Sequence, residues 1–257
     1  MLAMEVAILS ERGGRPYNED ACGHWHSDRQ LCCVLADGAG GHGGGDIASK
    51  FIVERVIQGL AARPVVTGAD LNAILQQANQ ALIEQRVPGT VRAEMHTTVV
   101  GLVIDFVDHS ACWAHVGDSR LYWFRAGRIV ERTRDHSVVQ ALADAGLLAE
   151  ADLRGHPNRS ELLSALGVVA ADLTVTDSDA GGERRVAAGD VFLLCTDGVW
   201  EHIGDDLLQD LLQNAPTPAA WLSAIEASVT AATQHSSSHD NFTALAVWTD
   251  TAPAAVS

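Results

Sequence analysis

The sequence has few basic residues for its length of 257. It carries 17 Lys and Arg against 33 Asp and Glu, which gives a formal net charge of -16 at pH 7. Nucleic-acid binding depends on Lys and Arg that neutralise phosphates, and an anionic membrane surface repels so acidic a chain. The composition therefore argues against nucleic acid and against a membrane as partners. Bound cations would offset part of the negative charge.

Cysteine and long hydrophobic runs are also scarce. The five cysteines are odd in number and include no C-x-x-C spacing, and most lie in apolar, strand-like runs. We therefore expect reduced thiols and a reducing compartment. The first residues contain no basic segment followed by an apolar stretch, and no apolar run reaches the roughly 18 residues of a membrane span. These absences predict a cytoplasmic protein.

No stretch of linker-like composition divides the chain, so we expect one domain over residues 1–250 and a frayed tail at 251–257. Residues 135–167 interrupt the strand pattern with a helix near 137–145, a polar stretch and a second short helix ending at Gly167. Insertions of this kind between strands commonly lie near a functional site. The sequence therefore predicts a mobile flap at 135–167.

Runs rich in β-branched and aromatic residues predict a series of strands. They lie at 6–10, 31–36, 97–107, 111–116, 120–125, 191–194 and 243–248. Short turns at 108–110 and 126–128 favour antiparallel hairpins over parallel crossovers. Helical spacing of apolar residues predicts one helix at about 45–60 and another around 221–229. A third predicted helix starts at Asp70, which would be its N-cap. Together these elements predict an α+β fold in which helices cover a sandwich of sheets.

Four aspartates stand in short polar or glycine-bearing motifs spread over nearly the whole chain. They are Asp20, Asp37, Asp197 and Asp240. Asp37 and Asp197 each follow a strand-like run and precede glycine. Their carboxylates would therefore lie at strand ends, where the glycine lets the protein backbone approach a ligand closely. Ligands that offer only oxygen suit Mg²⁺ or Mn²⁺ rather than Zn²⁺. The sequence therefore predicts one metal site formed by these four residues.

The order of motifs along the chain resembles that of the metal-dependent protein phosphatases, also called protein phosphatase 2C, in their bacterial form. The motifs are Arg15, Glu19-Asp20, Ala36-Asp-Gly-Ala-Gly-Gly-His42, Thr97-Thr98, Gly117-Asp-Ser-Arg120, Arg134-Asp-His-Ser137, Cys195-Thr-Asp-Gly198 and Asp240-Asn241. The match is close to full length, and its weight lies in the order and number of motifs. It implies a four-layer αββα sandwich of two antiparallel sheets flanked by helices.

The same resemblance implies two adjacent octahedral sites for Mn²⁺ or Mg²⁺, with Asp37 bridging both ions. The other ligands would be Asp20, Asp197, Asp240, the Gly38 carbonyl and, mainly through metal-bound water, Glu19. Asp118 would join Asp240 at a third, weaker ion, and a structural turn is the alternative for Asp118. Three further residues would hold the ligands in place: Thr97, Thr98 and Asn241.

The activity implied is hydrolysis of phosphoserine and phosphothreonine in proteins, opposing a bacterial serine/threonine kinase. A water bridging the two cations would attack phosphorus in line, because bound metal lowers the pKa of water to about 7 in well-studied cases. Arg15 would bind two phosphate oxygens with its planar fork, unless it is a solvated surface residue. His42 would protonate the leaving alkoxide, orient a metal-bound water or cap the next helix, since Ala39 stands where eukaryotic members carry histidine.

Two other functions fit the sequence less well. A catalytically idle phosphatase-like module would bind a phosphoprotein or another partner, but such modules usually lack one or more of the metal aspartates. A phosphohydrolase for small phosphate esters would share the metal site and differ in its flap and surface loops. We expect a monomer, since a sandwich covered by helices leaves no obligatory interface.

Overall fold

The structure is a computed structural model that describes residues 2–39, 44–178, 184–236 and 239–251. The strands in these ranges are β1 (Leu2–Glu11), β2 (Asp20–His26), β3 (Gln30–Ala39), β4 (His96–Thr97), β5 (Val99–Asp105), β6 (Ser110–Val116), β7 (Arg120–Arg125), β8 (Arg128–Arg132), β9 (Thr176–Asp177), β10 (Arg184–Arg185), β11 (Val191–Cys195) and β12 (Phe242–Thr251). The α-helices there are α1 (Gly45–Ala61), α2 (Gly68–Glu84), α3 (Val138–Asp144), α4 (Asp197–Trp200), α5 (Asp205–Asn214) and α6 (Pro218–Thr233). None of these helices combines the length and the apolar character needed to cross a bilayer.

The strands form two antiparallel sheets. One sheet has the order β1-β12-β11-β7-β8, and the other runs β10-β6-β5-β3-β2, with β4 beside β3 and β9 beside β6. The two hairpins predicted from the turns are confirmed, because β5 pairs with β6 and β7 pairs with β8. Left-handed backbone at His109 (φ 49°), Ala126 (φ 50°) and Gly127 (φ 71°) lets the chain reverse in a few residues.

Apolar residues on both faces of the central strands enter different cores, since successive side chains point to opposite faces of a sheet. On β3, Val34 packs among residues of α1 and α2, whereas Leu35 faces the other sheet. On β11, Leu193 packs among residues of α4, α5 and α6, whereas Phe192 faces the other sheet. The layers are therefore helix, sheet, sheet and helix, so the α+β, four-layer αββα prediction is confirmed.

The start of α2 differs from the prediction. Its N-cap is Thr67 rather than Asp70, because Thr67 Oγ1 accepts from Asp70 N at 3.2 Å. Asp70 Oδ2 in turn accepts from Thr67 N at 3.0 Å. This reciprocal capping box places the acidic residue in the first turn, where a helix favours negative charge.

The predicted flap region differs in one element. The helix expected near 137–145 is present as α3, with Ser137 Oγ accepting from Gln140 N at 3.2 Å as an N-cap. The prediction of a second short helix ending at Gly167 is wrong. That stretch contains turns and two isolated bridges, Thr97 with Leu166 and Ser137 with Leu162. The sequence pattern also gives no indication of β2 or α5.

Candidate metal centre

Strand ends and the turns beside them carry five aspartates to one end of the sandwich. Asp20 begins β2 and is the cross-strand partner of Asp37 on β3. Asp197 begins α4 directly after β11, Asp240 precedes β12, and Asp118 lies in the turn from β6 to β7. The charges of the other four all act on Asp37. The structure therefore brings these five sequence-predicted residues together.

The five carboxyl groups repel one another. Burial raises the pKa of Asp37 well above its usual range, and the neighbouring charges, beginning with Asp20 and Asp197, raise it further. The pKa of Asp197 is raised in the same way, through burial and then Asp118 and Asp240. Burial is also the main cause that raises the pKa of Asp20 to about 7 and that of Asp118 to about 7. Cations among these groups would relieve the repulsion.

At this end of the sandwich, three buried carboxylate oxygens of sequence-predicted ligands lack a hydrogen-bond partner among the described residues. They are Glu19 Oε1, Asp20 Oδ1 and Asp197 Oδ1. Buried polar atoms are nearly always paired, so these oxygens have capacity left for another partner. A donor set made of oxygen suits Mg²⁺ and Mn²⁺. The residues therefore fit the hard cations expected from the sequence.

The carboxylates do not form a ready-made cage. In the described parts of the chain, no group of three or more His, Cys, Asp or Glu side chains is already arranged to hold a metal ion. Mg²⁺ usually keeps several waters and takes only one or two carboxylates. The arrangement therefore suits ions whose coordination shells are completed by water.

The two Asp-Gly pairs place backbone where no side chain fits. A Cβ on Gly38 would lie 2.2 Å from Gly45 O, and a Cβ on Gly198 would lie 2.0 Å from Asn241 O. The sequence predicts that these glycines let backbone approach a ligand; in the structure they let it approach the backbone of a neighbouring segment. It lets α1 pack against the end of β3, and it lets α4 pack against the segment that carries Asp240.

Glu19 lies beside this contact between β3 and α1. Its carbonyl accepts from Gly38 N at 3.1 Å and from Ser49 Oγ at 2.5 Å. A Cβ on Gly45 would lie 2.6 Å from Glu19 Oε1, which places the carboxylate at the start of α1. Burial raises the pKa of Glu19, although the charge of Arg15 opposes this.

Thr97 and Thr98 fix the backbone of Asp37 rather than its carboxylate. Thr97 Oγ1 donates to Asp37 O at 2.7 Å, and Thr98 Oγ1 accepts from Asp37 N at 3.0 Å. Thr98 N also donates to Asp37 O at 2.8 Å. Thr98 Oγ1 lies 2.7 Å from Ser119 Oγ, which connects this strand end to the turn that carries Asp118.

Two buried threonines that have no role in the sequence prediction hold Asp20. Thr196 Oγ1 donates to Asp20 Oδ2 at 3.0 Å and accepts from Thr243 N at 3.0 Å. Thr196 directly precedes Asp197, and Thr243 follows Asp240 by three positions, and this closeness to the predicted ligands is the only signal that the sequence offers. Threonine next to a strand otherwise indicates ordinary sheet packing.

Asn241 connects the last strand to the segment that carries Arg15. Its Nδ2 donates to Arg12 O at 2.6 Å and to Tyr17 O at 3.1 Å. Its Oδ1 accepts from Glu19 N at 2.8 Å. One buried amide therefore positions residues 12–19 beside the five aspartates described above, which we call the acidic cluster.

Arg15 lies at the rim of the cluster. Its Nη2 donates to Asp240 Oδ2 at 2.6 Å, and the two side chains are 46% and 43% exposed. A pair this exposed contributes little to stability, so the guanidinium can turn to another anion at small cost. His42 lies outside the described residues, and its role stays a prediction.

Comparison with known proteins identifies similar chains. The family profile described as Protein phosphatase 2C matches residues 11–246. The chain is 32% identical over 217 residues to "Serine/threonine protein phosphatase PstP" of Mycobacterium tuberculosis, which covers 82% of this chain and 39% of that protein. It is 30% identical over 215 residues to "Protein phosphatase PhpP" of Streptococcus pneumoniae, which covers 81% of this chain and 84% of that protein. This chain thus spans about two fifths of the length of its mycobacterial relative.

A solved structure of similar fold contains metal. It is the catalytic domain of the serine/threonine protein phosphatase PstP in complex with two manganese ions. The two structures agree with a TM-score of 0.79 at 27% identity, over 98% of this chain and 100% of that chain.

Proposed function

Because this chain belongs to the protein phosphatase 2C family, we propose that it is a metal-dependent enzyme that hydrolyses phosphoserine and phosphothreonine in proteins. The observation that carries the proposal is the group of aspartates around Asp37, which repel one another and leave buried carboxylate oxygens without partners. All the metal aspartates expected of an active member are present. This favours an enzyme over an idle binding module.

Two ions of Mn²⁺ or Mg²⁺ would be held with Asp37 between them. Their other ligands would be Asp20, Asp197, Asp240, the Gly38 carbonyl and, through water, Glu19, with Asp118 and Asp240 at a third ion. Such ions would supply the positive charge that activates a bridging water as nucleophile and offsets negative charge on the phosphoryl group. The manganese in the related PstP structure supports this choice of metal.

Arg15 would bind two oxygens of the phosphoryl group. The guanidinium fork matches phosphate, and its exposed position lets substrate displace Asp240 as its partner. His42 or a bound water would then protonate the leaving serine or threonine oxygen.

The physiological setting we propose follows from the same family. Phosphoproteins would be the substrates, a serine/threonine kinase would supply the phosphate groups, and the enzyme would act in signalling as a monomer with one catalytic domain and a flap at 135–167. Burial raises the pKa of several cysteine thiols, including that of Cys22 to about 11 and that of Cys32 to about 12. Buried thiols of raised pKa react slowly, which supports a place in the reducing cytoplasm.

Substitution of Arg15 tests its role in substrate binding. Arg15→Ala is expected to raise KM for phosphorylated substrates by about tenfold, because a charge-assisted hydrogen-bond pair contributes on the order of 1.5 kcal/mol or more. Steady-state kinetics with a phosphothreonine peptide would measure it. The control is Arg12→Ala, because the exposed Arg12 side chain donates to the nearby Pro16 carbonyl and to no carboxylate of the cluster. A KM for Arg15→Ala equal to that of the control would make Arg15 a surface residue.

The proposal itself is tested by phosphate release. The purified chain should hydrolyse a phosphothreonine peptide and p-nitrophenyl phosphate with Mn²⁺ or Mg²⁺, and lose the activity with EDTA or when Asp197 is replaced by Ala. Metal binding without turnover of either substrate would instead indicate the idle module. Turnover of the small ester without the peptide would indicate a small-molecule phosphohydrolase.

A further inference from the structure

Arg120 is a fully buried arginine whose hydrogen bonds join the start of β7 to Asp135. It begins β7, its residue is 1% exposed, and it lies two positions after Asp118. Its Nε donates to Asp135 Oδ1 at 2.9 Å and its Nη2 donates to Asp135 Oδ2 at 2.7 Å. Its Nη1 donates to Tyr122 Oη at 3.1 Å. This bidentate pair fixes the guanidinium plane against Asp135, the first residue of the predicted flap.

The same guanidinium stacks on the helix that carries Asp197. Its central carbon lies 3.6 Å from the centre of the Trp200 ring, at the end of α4. Trp200 Nε1 in turn donates to Asp118 O at 2.9 Å. The indole is therefore held on one face by the arginine and at its edge by the turn that carries Asp118.

Reciprocal hydrogen bonds hold that turn to the chain just before α3. His136 N donates to Gly117 O at 2.9 Å, and Gly117 N donates to His136 Nδ1 at 3.2 Å. Thr133 N donates to Leu121 O at 3.0 Å, and Leu121 N donates to Thr133 Oγ1 at 3.0 Å. Residues 117–121 and 133–136 thus form one unit, with Arg120 in its centre.

We propose that Arg120 is a positioning residue, which through Asp135 and Trp200 holds Asp118 and Asp197 at a fixed separation and joins both to the base of the flap. We name Arg120, Asp135 and Trp200 the arginine clamp. The inference rests on the proposed function in treating Asp118 and Asp197 as metal ligands. The clamp acts through backbone and ring contacts, since its hydrogen bonds reach neither of these two carboxylates.

Lysine cannot replace arginine in this clamp. An ammonium group makes no bidentate pair with a carboxylate and presents no flat face to an indole, although it keeps the positive charge that the buried Asp135 needs. Arg120→Lys therefore removes the geometry and retains the charge. Without the stacking contact, the indole and the Asp118 carbonyl that it binds would be free to shift.

The chain offers a matched control at the other end of the same strand. Arg125 pairs with Asp190 through Nε at 2.8 Å and Nη2 at 2.7 Å, and it lies 4.9 Å from the Trp123 ring centre. The two arginines are five positions apart along the strand, roughly 16 Å. The bidentate pairing with a buried aspartate is the same, whereas the Arg125 side chain is more exposed, at 45%, and lies farther from its aromatic ring.

The first test is calorimetric titration of Mn²⁺ into the wild-type protein, Arg120→Lys and Arg125→Lys. Arg120→Lys should weaken Mn²⁺ binding by about 10-fold to 100-fold, the usual effect of losing a residue that orients a ligand. It should lower kcat for p-nitrophenyl phosphate and change KM little, because Arg15 is untouched. Arg125→Lys should stay within about twofold of the wild type on both measures. Equal Mn²⁺ affinities in the two variants would overturn the proposal.

A second measurement needs no metal and separates this inference from the proposed function. Hydrogen exchange of the metal-free protein should accelerate at 117–121 and at 197–200 in Arg120→Lys, and in neither segment in Arg125→Lys. This result stands even if the wild-type chain binds no Mn²⁺, which would refute the metal centre alone. Unchanged exchange in both segments would overturn the clamp. If Arg120→Lys fails to fold, Trp200→Phe serves in its place, because it keeps an aromatic ring and removes the hydrogen bond to Asp118 O.

Discussion

Asp37→Asn is expected to reduce metal-dependent phosphate release by more than about 100-fold, the upper end of the loss seen when a residue merely supports a ligand. The same change should stabilise the metal-free protein at pH 8. The Asp37 carboxyl has a folded-state pKa raised by burial and by neighbouring aspartates, beginning with Asp20. Such a group contributes stability that is present below its unfolded pKa and lost as the pH rises, whereas the amide has no such loss.

Thermal denaturation in EDTA at pH 8, with phosphate release in Mn²⁺, measures both effects of Asp37→Asn. The control is Asp210→Asn, because Asp210 is exposed on α5 and its removal also deletes one negative charge. Lower stability of the metal-free Asp37→Asn variant would contradict the repulsion described at the site. Activity near that of the wild type would refute Asp37 as the bridging ligand.

Stabilisation by Mn²⁺ is expected to increase steeply between pH 5.5 and pH 8. The pKa of Asp20 and that of Asp118 are both raised to about 7, mainly by burial. A ligand carboxyl must be ionised before it binds metal. Each carboxyl that still carries its proton in the free protein therefore weakens metal binding by about tenfold for every pH unit below 7. Without metal the sign is opposite, because a raised folded-state pKa gives stability that is lost as the pH rises from about 4 toward 7.

The difference in melting temperature between Mn²⁺ and EDTA, taken at each pH, isolates this effect. Burial, and then His115, lowers the pKa of His136 to about 3. His136 therefore contributes stability above pH 6.5 that is lost as the pH falls toward 3, with or without metal, and its effect cancels in the difference. A difference that stays constant from pH 5.5 to 8 would show that these two carboxyls do not hold the ion.

The aspartates of the candidate site could be predicted from sequence because each lies in a motif of its own. Asp197 follows a buried strand and precedes glycine in the fold as well, whereas Asp37 and its glycine lie within the last residues of β3. The partners of these residues have no local signal. Thr196 contacts Asp20 across 176 residues, and Trp200 contacts Asp118 across 82 residues. Each looks like an ordinary core residue until the sheets bring it to the site.

Competing local signals explain the errors in secondary structure. Asp70 lies in the first turn of α2, and Thr67 and Asp70 are both residue types that cap helices, so composition alone does not choose between them. The sequence predicts a short helix ending at Gly167, but Gly167 adopts φ +100°, and a Cβ there would lie 2.3 Å from Met95 O. Contact with the neighbouring strand therefore determines this conformation.

Strand β12 lies between β1 and β11, although it is the last strand of the described chain. Asp240 precedes it, and Asn241 beside it positions the segment that carries Arg15. During synthesis from the N-terminus, every earlier strand is therefore made before the strand that joins β1 to the rest of its sheet. The acidic cluster therefore stays incomplete in a nascent chain until residues 240–251 have left the ribosome.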